Sequence, residues 1–156
     1  MQLKVLARAL APHRVIGALD REVESIAYDS RRVQNNTLFV AIRGEKSDGH
    51  QFVDQAIEQG ASVIVAESEI SSPRATCLVV DDSRSALANL AAAFYGMPAH
   101  KLKMAAVTGT NGKTTTTFLI KHICEKAGMR CGLLGTVQYE IGDRILPARR
   151  PINFSP

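Results

Sequence analysis

The sequence contains no tryptophan and only eight aromatic side chains, five Phe and three Tyr, in 156 residues. A surface that stacks nucleobases needs several aligned aromatic faces, so this composition argues against a binder of single-stranded nucleic acid. Cysteine is scarce as well. Cys77, Cys124 and Cys131 are odd in number and show no C-x-x-C spacing, which supports neither a disulfide framework nor a zinc site. The four histidines, His13, His50, His100 and His122, are scattered and none pairs with a Cys. Long apolar runs are missing too: no stretch approaches the roughly 18 residues of a membrane span. Lys4 and Arg8 break the apolar N-terminal run, which makes it a poor secretory signal. Together these absences predict a reduced, cytoplasmic protein with no membrane and no nucleic acid among its partners.

What is present describes an ordinary globular chain, with 46% hydrophobic and 22% charged residues. The length suits one domain or two small ones. Charge is divided unevenly. Residues 1–100 carry ten basic and twelve acidic side chains, whereas residues 101–156 carry nine basic and three acidic. The asymmetry predicts two units, the second of which meets an anion.

Hydrophobic periodicity orders the elements. Leu3–Leu10 reads as a short amphipathic helix stopped by Pro12. Strands are expected over 23–28, 37–42, 62–66 and 76–80, the last two as continuous apolar runs buried on both faces. Between them, Phe52, Val53, Ala56 and Ile57 recur at helical spacing, with Gly60 as the stop. Asp82 or Ser83 caps a helix that passes through Phe94 and ends before Gly96. Met97-Pro98-Ala99-His100 forms a short linker where the charge balance changes. Beyond it the pattern predicts a strand over 103–107, a glycine-bearing turn, a helix over 113–127, a strand over 130–134 and a hairpin around Gly142-Asp143. Alternating strands and helices predict the α/β class. The expected divisions are 1–97, 98–148 and an irregular tail, 149–156, where three of the six prolines fall within the last ten residues of the chain.

The strongest chemical signal is Thr108-Gly109-Thr110-Asn111-Gly112-Lys113-Thr114-Thr115, set between an apolar strand and a helix. Two glycines let the backbone turn tightly and bring N–H groups to phosphate oxygens. The helix start adds its positive dipole end. Lys113 can then reach the β- and γ-phosphates of a nucleotide, and the Thr114 hydroxyl can join a Mg²⁺ shell. Val107 stands where the G-x-x-x-x-G-K-[ST] pattern would begin with Gly, so the loop is a variant of that motif. Asp29-Ser30-Arg31 reads as an Asx turn, and Asp48 as a helix cap. No Ser–His–Asp or Cys–His set is apparent, and no apolar stripe nominates a partner surface.

These residues resemble the Mur ligase family, ATP-dependent amide-bond-forming ligases that build the peptide stem of bacterial peptidoglycan. The carriers are the loop from Thr108 to Thr115 and, upstream, Asp29-Ser30-Arg31-x-Val33, Leu38-Phe39-Val40-Ala41, Gly44, Asp48-Gly49-His50 and Gly60-Ala61. The Thr-Asn pair inside the loop favours the branch that adds the third amino acid, meso-diaminopimelate or L-lysine, over the branch that adds D-alanyl-D-alanine.

The resemblance implies a UDP-binding α/β domain, followed by the opening strand, P-loop, helix and strand of an ATPase domain. It implies contacts from Tyr28, Ser30, Glu45, Lys46 and Ser47 to a UDP-N-acetylmuramoyl dipeptide. It further implies ATP bound by Gly109, Thr110, Asn111, Gly112, Lys113, Thr114 and Thr115, with Lys113 catalytic on phosphate and Thr114 on Mg²⁺. In the family's reaction the γ-phosphoryl passes to a substrate carboxylate, and an amine attacks the acyl phosphate. The resemblance covers roughly residues 1–148. At 149–156 the family's Thr-Thr-Pro stretch is absent, and its further Mg²⁺-binding Glu, modified Lys and amino-acid-receiving domain have no counterpart. The expectation is therefore a truncated ligase that binds nucleotide but does not ligate alone. The alternatives are a non-catalytic nucleotide-binding module and an intact small P-loop kinase.

Overall fold

The computed structural model describes residues 1–44 and 48–148. The chain divides into two compact units, Met1–Lys103 and a second that begins at Met104. The division falls beyond the 3₁₀ turn Pro98–Lys101, because the Met97 N–H bonds back to the Ala92 carbonyl (2.7 Å) and ties this segment to the preceding helix.

In the first unit, α1 (Leu3–Leu10) is followed by β1 (Arg14–Ile16), β2 (Ser25–Ala27), β3 (Thr37–Val40), α2 (Val53–Glu58), β4 (Ala61–Ala66), β5 (Thr76–Val79) and α3 (Ser83–Phe94). The sheet order is β1-β5-β4-β3-β2. β2 to β5 run parallel, and β1 joins β5 antiparallel. This is the α/β fold that the alternation of elements predicts. β1 is an addition, since three residues are too few to show a period.

Strand alternation sorts the core onto two faces. Leu38, Val40, Val63, Val65, Leu78 and Val80 pack against Leu3 and Leu6 of α1 and Ala86 and Leu90 of α3. Phe39, Ala41, Ile64 and Ala66 face Val53 and Ala56 of α2. Each fully buried Val, Leu or Phe in these layers contributes roughly 1.5–3 kcal/mol. The fully buried Thr37 is satisfied, its hydroxyl lying 2.8 Å from Ser25 Oγ and accepting the Gln34 N–H at 2.9 Å.

In the second unit, α4 (Lys113–Lys126) precedes β6 (Leu133–Leu134), β7 (Gln138–Ile141) and β8 (Arg144–Pro147), which form an antiparallel sheet in the order β6-β7-β8. The expected hairpin turns at Gly142. The strand expected over 103–107 does not form. An apolar run becomes a strand only where a neighbour completes its ladder, and none among the described residues does so; residues 103–106 are exposed. The strand expected over 130–134 shrinks to Leu133–Leu134 for the same reason. α4 ends in a Schellman motif, with the Met129 N–H on the Cys124 carbonyl and the Gly128 N–H on that of Glu125. Lys121 links α4 to the sheet, 2.8 Å from Glu140 Oε2 and 2.6 Å from Glu125 Oε1. Contrary to the sequence expectation, an apolar stripe is exposed on α4, comprising Leu119, Ile120 and Ile123. Glu45, Lys46, Ser47 and the tail 149–156 lie outside the described residues.

Candidate functional site

Ligands of open parallel sheets sit outside the carboxyl ends of the strands. In the first unit that edge carries Tyr28 to Ser30 after β2, Arg43–Gly44 and Asp48 to His50 after β3, Glu67 after β4 and Asp82–Ser83 after β5. Tyr28 is 57% exposed and free to meet a ligand. Asp29 opens a 3₁₀ turn by accepting the Arg31 N–H, and its carboxylate also takes the Arg31 guanidinium at 2.9 and 2.7 Å. Those bonds lower its pKa to about 2. Ser30 is buried, and its hydroxyl donates to Gln55 Oε1 of α2 at 3.0 Å.

On the neighbouring loop Asp48 accepts both the His50 backbone N–H (3.0 Å) and the His50 ring Nδ1 (2.6 Å). The bonds from His50 hold its carboxyl below the ordinary range. The two ends of this loop nearly touch. The Gly49 N–H donates to the Ile42 carbonyl at 2.8 Å, and a Cβ on Gly49 would stand 2.7 Å from both the Ile42 N and its O. Glu67 Oε1 accepts the Ser83 N–H (3.1 Å) and hydroxyl (2.8 Å), bonds that keep it ionised. Sequence reasoning did not find Gln55, Arg43, Glu67, Ser83 or Arg84, which reach this edge from separate elements. Glu67 and Ser83 are strand-end and helix-start residues whose meeting depends on sheet order, which local pattern does not encode.

The second unit holds the other expected group together. Gly109 and Gly112 have φ of +144° and +76°. Gly112 is the N-cap of α4 and offers no side-chain cap, and no acidic residue occupies the first turn. The first N–H groups of a helix lack intrahelical partners, so α4 presents them, with its positive dipole end, around Lys113, Thr114 and Thr115. Thr110, Asn111, Lys113, Thr114 and Thr115 are all exposed. Lys113 folds back over the loop, its Nζ donating to the Gly109 carbonyl (2.6 Å) and the Thr110 carbonyl (3.3 Å). Such an exposed, uncapped helix start with a lysine beside it suits a phosphate group.

Known proteins agree with both halves. Residues 22–95 match the family model described as "Mur ligase family, catalytic domain", and residues 107–155 match "Mur ligase middle domain". The chain belongs to the Mur ligase family. Among curated Mur ligases, the UDP-N-acetylmuramoyl-L-alanyl-D-glutamate–2,6-diaminopimelate ligase of Syntrophomonas wolfei subsp. wolfei is 50% identical over 144 residues, 92% of this chain and 29% of that relative. A solved Mur ligase structure, of a UDP-N-acetylmuramoyl-L-alanyl-D-glutamate–2,6-diaminopimelate ligase, aligns over 96% of this chain and 31% of its own, with TM-score 0.73 at 25% identity. The MurF ligase of Thermotoga maritima, solved in complex with ADP, aligns over 68% of this chain and 23% of its own, with TM-score 0.50 at 32% identity. The chain thus spans under a third of the length of these Mur ligases.

Proposed function

We propose that this chain supplies the uridine-nucleotide site and the ATP phosphate loop of a ligase that joins 2,6-diaminopimelate to UDP-N-acetylmuramoyl-L-alanyl-D-glutamate. The observation that carries the reading is the uncapped start of α4 behind the Gly109–Gly112 turn, in a chain whose relatives bear that ligase name. ATP is bound by Gly109 to Thr115. Lys113 moves from the loop carbonyls to the phosphates, where a positioned cation stabilises charge that builds during phosphoryl transfer. The γ-phosphoryl goes to the substrate carboxylate, and the incoming amine displaces phosphate from the acyl phosphate. Tyr28 and Ser30 contact the uridine nucleotide, together with Glu45, Lys46 and Ser47.

Mg²⁺ favours hard oxygen donors and commonly takes few ligands from the protein and the rest from phosphate and water. The exposed Thr114 hydroxyl fits that role, and no cluster of three His, Cys, Asp or Glu among the described residues offers a competing metal site. Thr114 would hold the ion, which supplies charge neutralisation on the phosphates. ATP, a nucleotide sugar and three free cysteines suit the cytoplasm. No helix among the described residues is long and apolar enough to cross a membrane.

Isothermal titration tests the reading directly. The chain should bind UDP-N-acetylmuramoyl-L-alanyl-D-glutamate and, separately, ATP–Mg²⁺. Ser30→Ala should weaken only the first ligand and Lys113→Ala only the second. A folded chain that binds neither would sink the proposal.

A further inference from the structure

His50 makes two hydrogen bonds that together fix its chemical form. Its Nδ1 lies 2.6 Å from Asp48 Oδ1, and its Nε2 accepts the Glu67 backbone N–H at 3.2 Å. An ionised carboxylate only accepts and a backbone N–H only donates. The ring is therefore neutral, with its proton on Nδ1. Only 14% of the side chain is exposed, so the imidazole is packed as well as bonded.

The surrounding groups extend the link. Arg43 Nε stands 3.7 Å from Asp48 Oδ2 and 3.6 Å from Glu67 Oε2. Glu67 in turn takes both bonds from Ser83 at the start of α3, and an Arg84 guanidinium N–H donates to the Arg43 carbonyl at 3.2 Å. The ends of β3, β4 and β5 are joined in this way by side chains rather than by the sheet ladder alone.

We propose that His50 is a positioning residue of the uridine-nucleotide site, a strut that ties Asp48, beyond β3, to Glu67, beyond β4. The proposal rests on the reading that the first unit binds a uridine nucleotide. A loop that meets a ligand must be held to a fraction of an ångström, and bonds behind the contacting residues do this. The hairpin-like closure of Gly49 on Ile42 fixes the loop to its own strand. His50 adds the cross-brace to the next strand, which that closure cannot supply.

The test uses the 156-residue chain with two probes, UDP-N-acetylmuramoyl-L-alanyl-D-glutamate and ATP–Mg²⁺, alongside ¹⁵N NMR of the His50 ring. The ring should show the neutral Nδ1–H form. His50→Ala should weaken the uridine ligand by about tenfold, the worth of a bond to a charged group, and leave ATP affinity unchanged. His50→Asn keeps a donor for Asp48 and His50→Gln keeps an acceptor for Glu67, so each should recover part of the loss. These two carry the test if the alanine variant does not fold.

An Nε2–H or charged ring, full uridine-ligand affinity in His50→Ala, or equal weakening of both ligands would each overturn the strut while the uridine reading stands. A wild-type chain with the Nδ1–H signature and no affinity for the UDP-sugar would instead overturn the uridine reading, and the proposal with it.

Discussion

Gly49 shows how a single residue sets the candidate site. Its missing side chain leaves room for the Ile42 backbone, and both groups a Cβ would strike at 2.7 Å are main-chain atoms, which cannot swing aside as a side chain could. Gly49→Ala should therefore push the two ends of the loop apart and lower stability by about 1–3 kcal/mol, as overpacking does. Chemical denaturation measures this, and an unchanged midpoint would refute it. The Asp-Gly-His run was legible in the sequence as a cap and a turn, and Asp48 does cap the 3₁₀ turn that follows. The partners of His50 and Ser30 were not legible. Glu67 lies 17 residues from His50 and Gln55 lies 25 residues from Ser30, and such meetings are decided by strand order rather than by neighbours in the chain.

At the scale of elements, the two longest helices begin in opposite ways. Asp82 caps α3 by accepting the Arg84 and Ser85 N–H groups and the Ser85 hydroxyl, whereas Gly112 gives α4 nothing. One start is closed by its own side chains, and the other is open. Asp82→Ala should lower the melting temperature of the first unit without altering ATP affinity; thermal unfolding followed by circular dichroism and an ATP titration check both halves. α1, α3 and α4 could be read from periodicity and stop signals because helices bond within themselves. Strands need a partner. That is why β1 went unseen, β2 and β6 came out shorter than their apolar runs, and the run over 103–107 stayed irregular.

At the scale of the molecule, apolar burial is concentrated in the first unit. Among the described residues of the second, Leu133 is the one hydrophobic side chain that is buried, and α4 contributes none. Local stability follows buried contacts, so hydrogen exchange should find the amides of β3, β4 and β5 most protected and those of α4 opening first. Equal protection across both units would contradict this. How the core is divided between the two units could not be read from composition. The sheet of the first unit has a further consequence for life in a crowded solution. Its two outer strands, β1 and β2, are three residues long, and β1 runs against the direction of the rest. A stranger strand docking on either side would find a template of one or two hydrogen-bonded pairs, too short to hold it. The brevity of those borders protects that sheet against edge-to-edge aggregation.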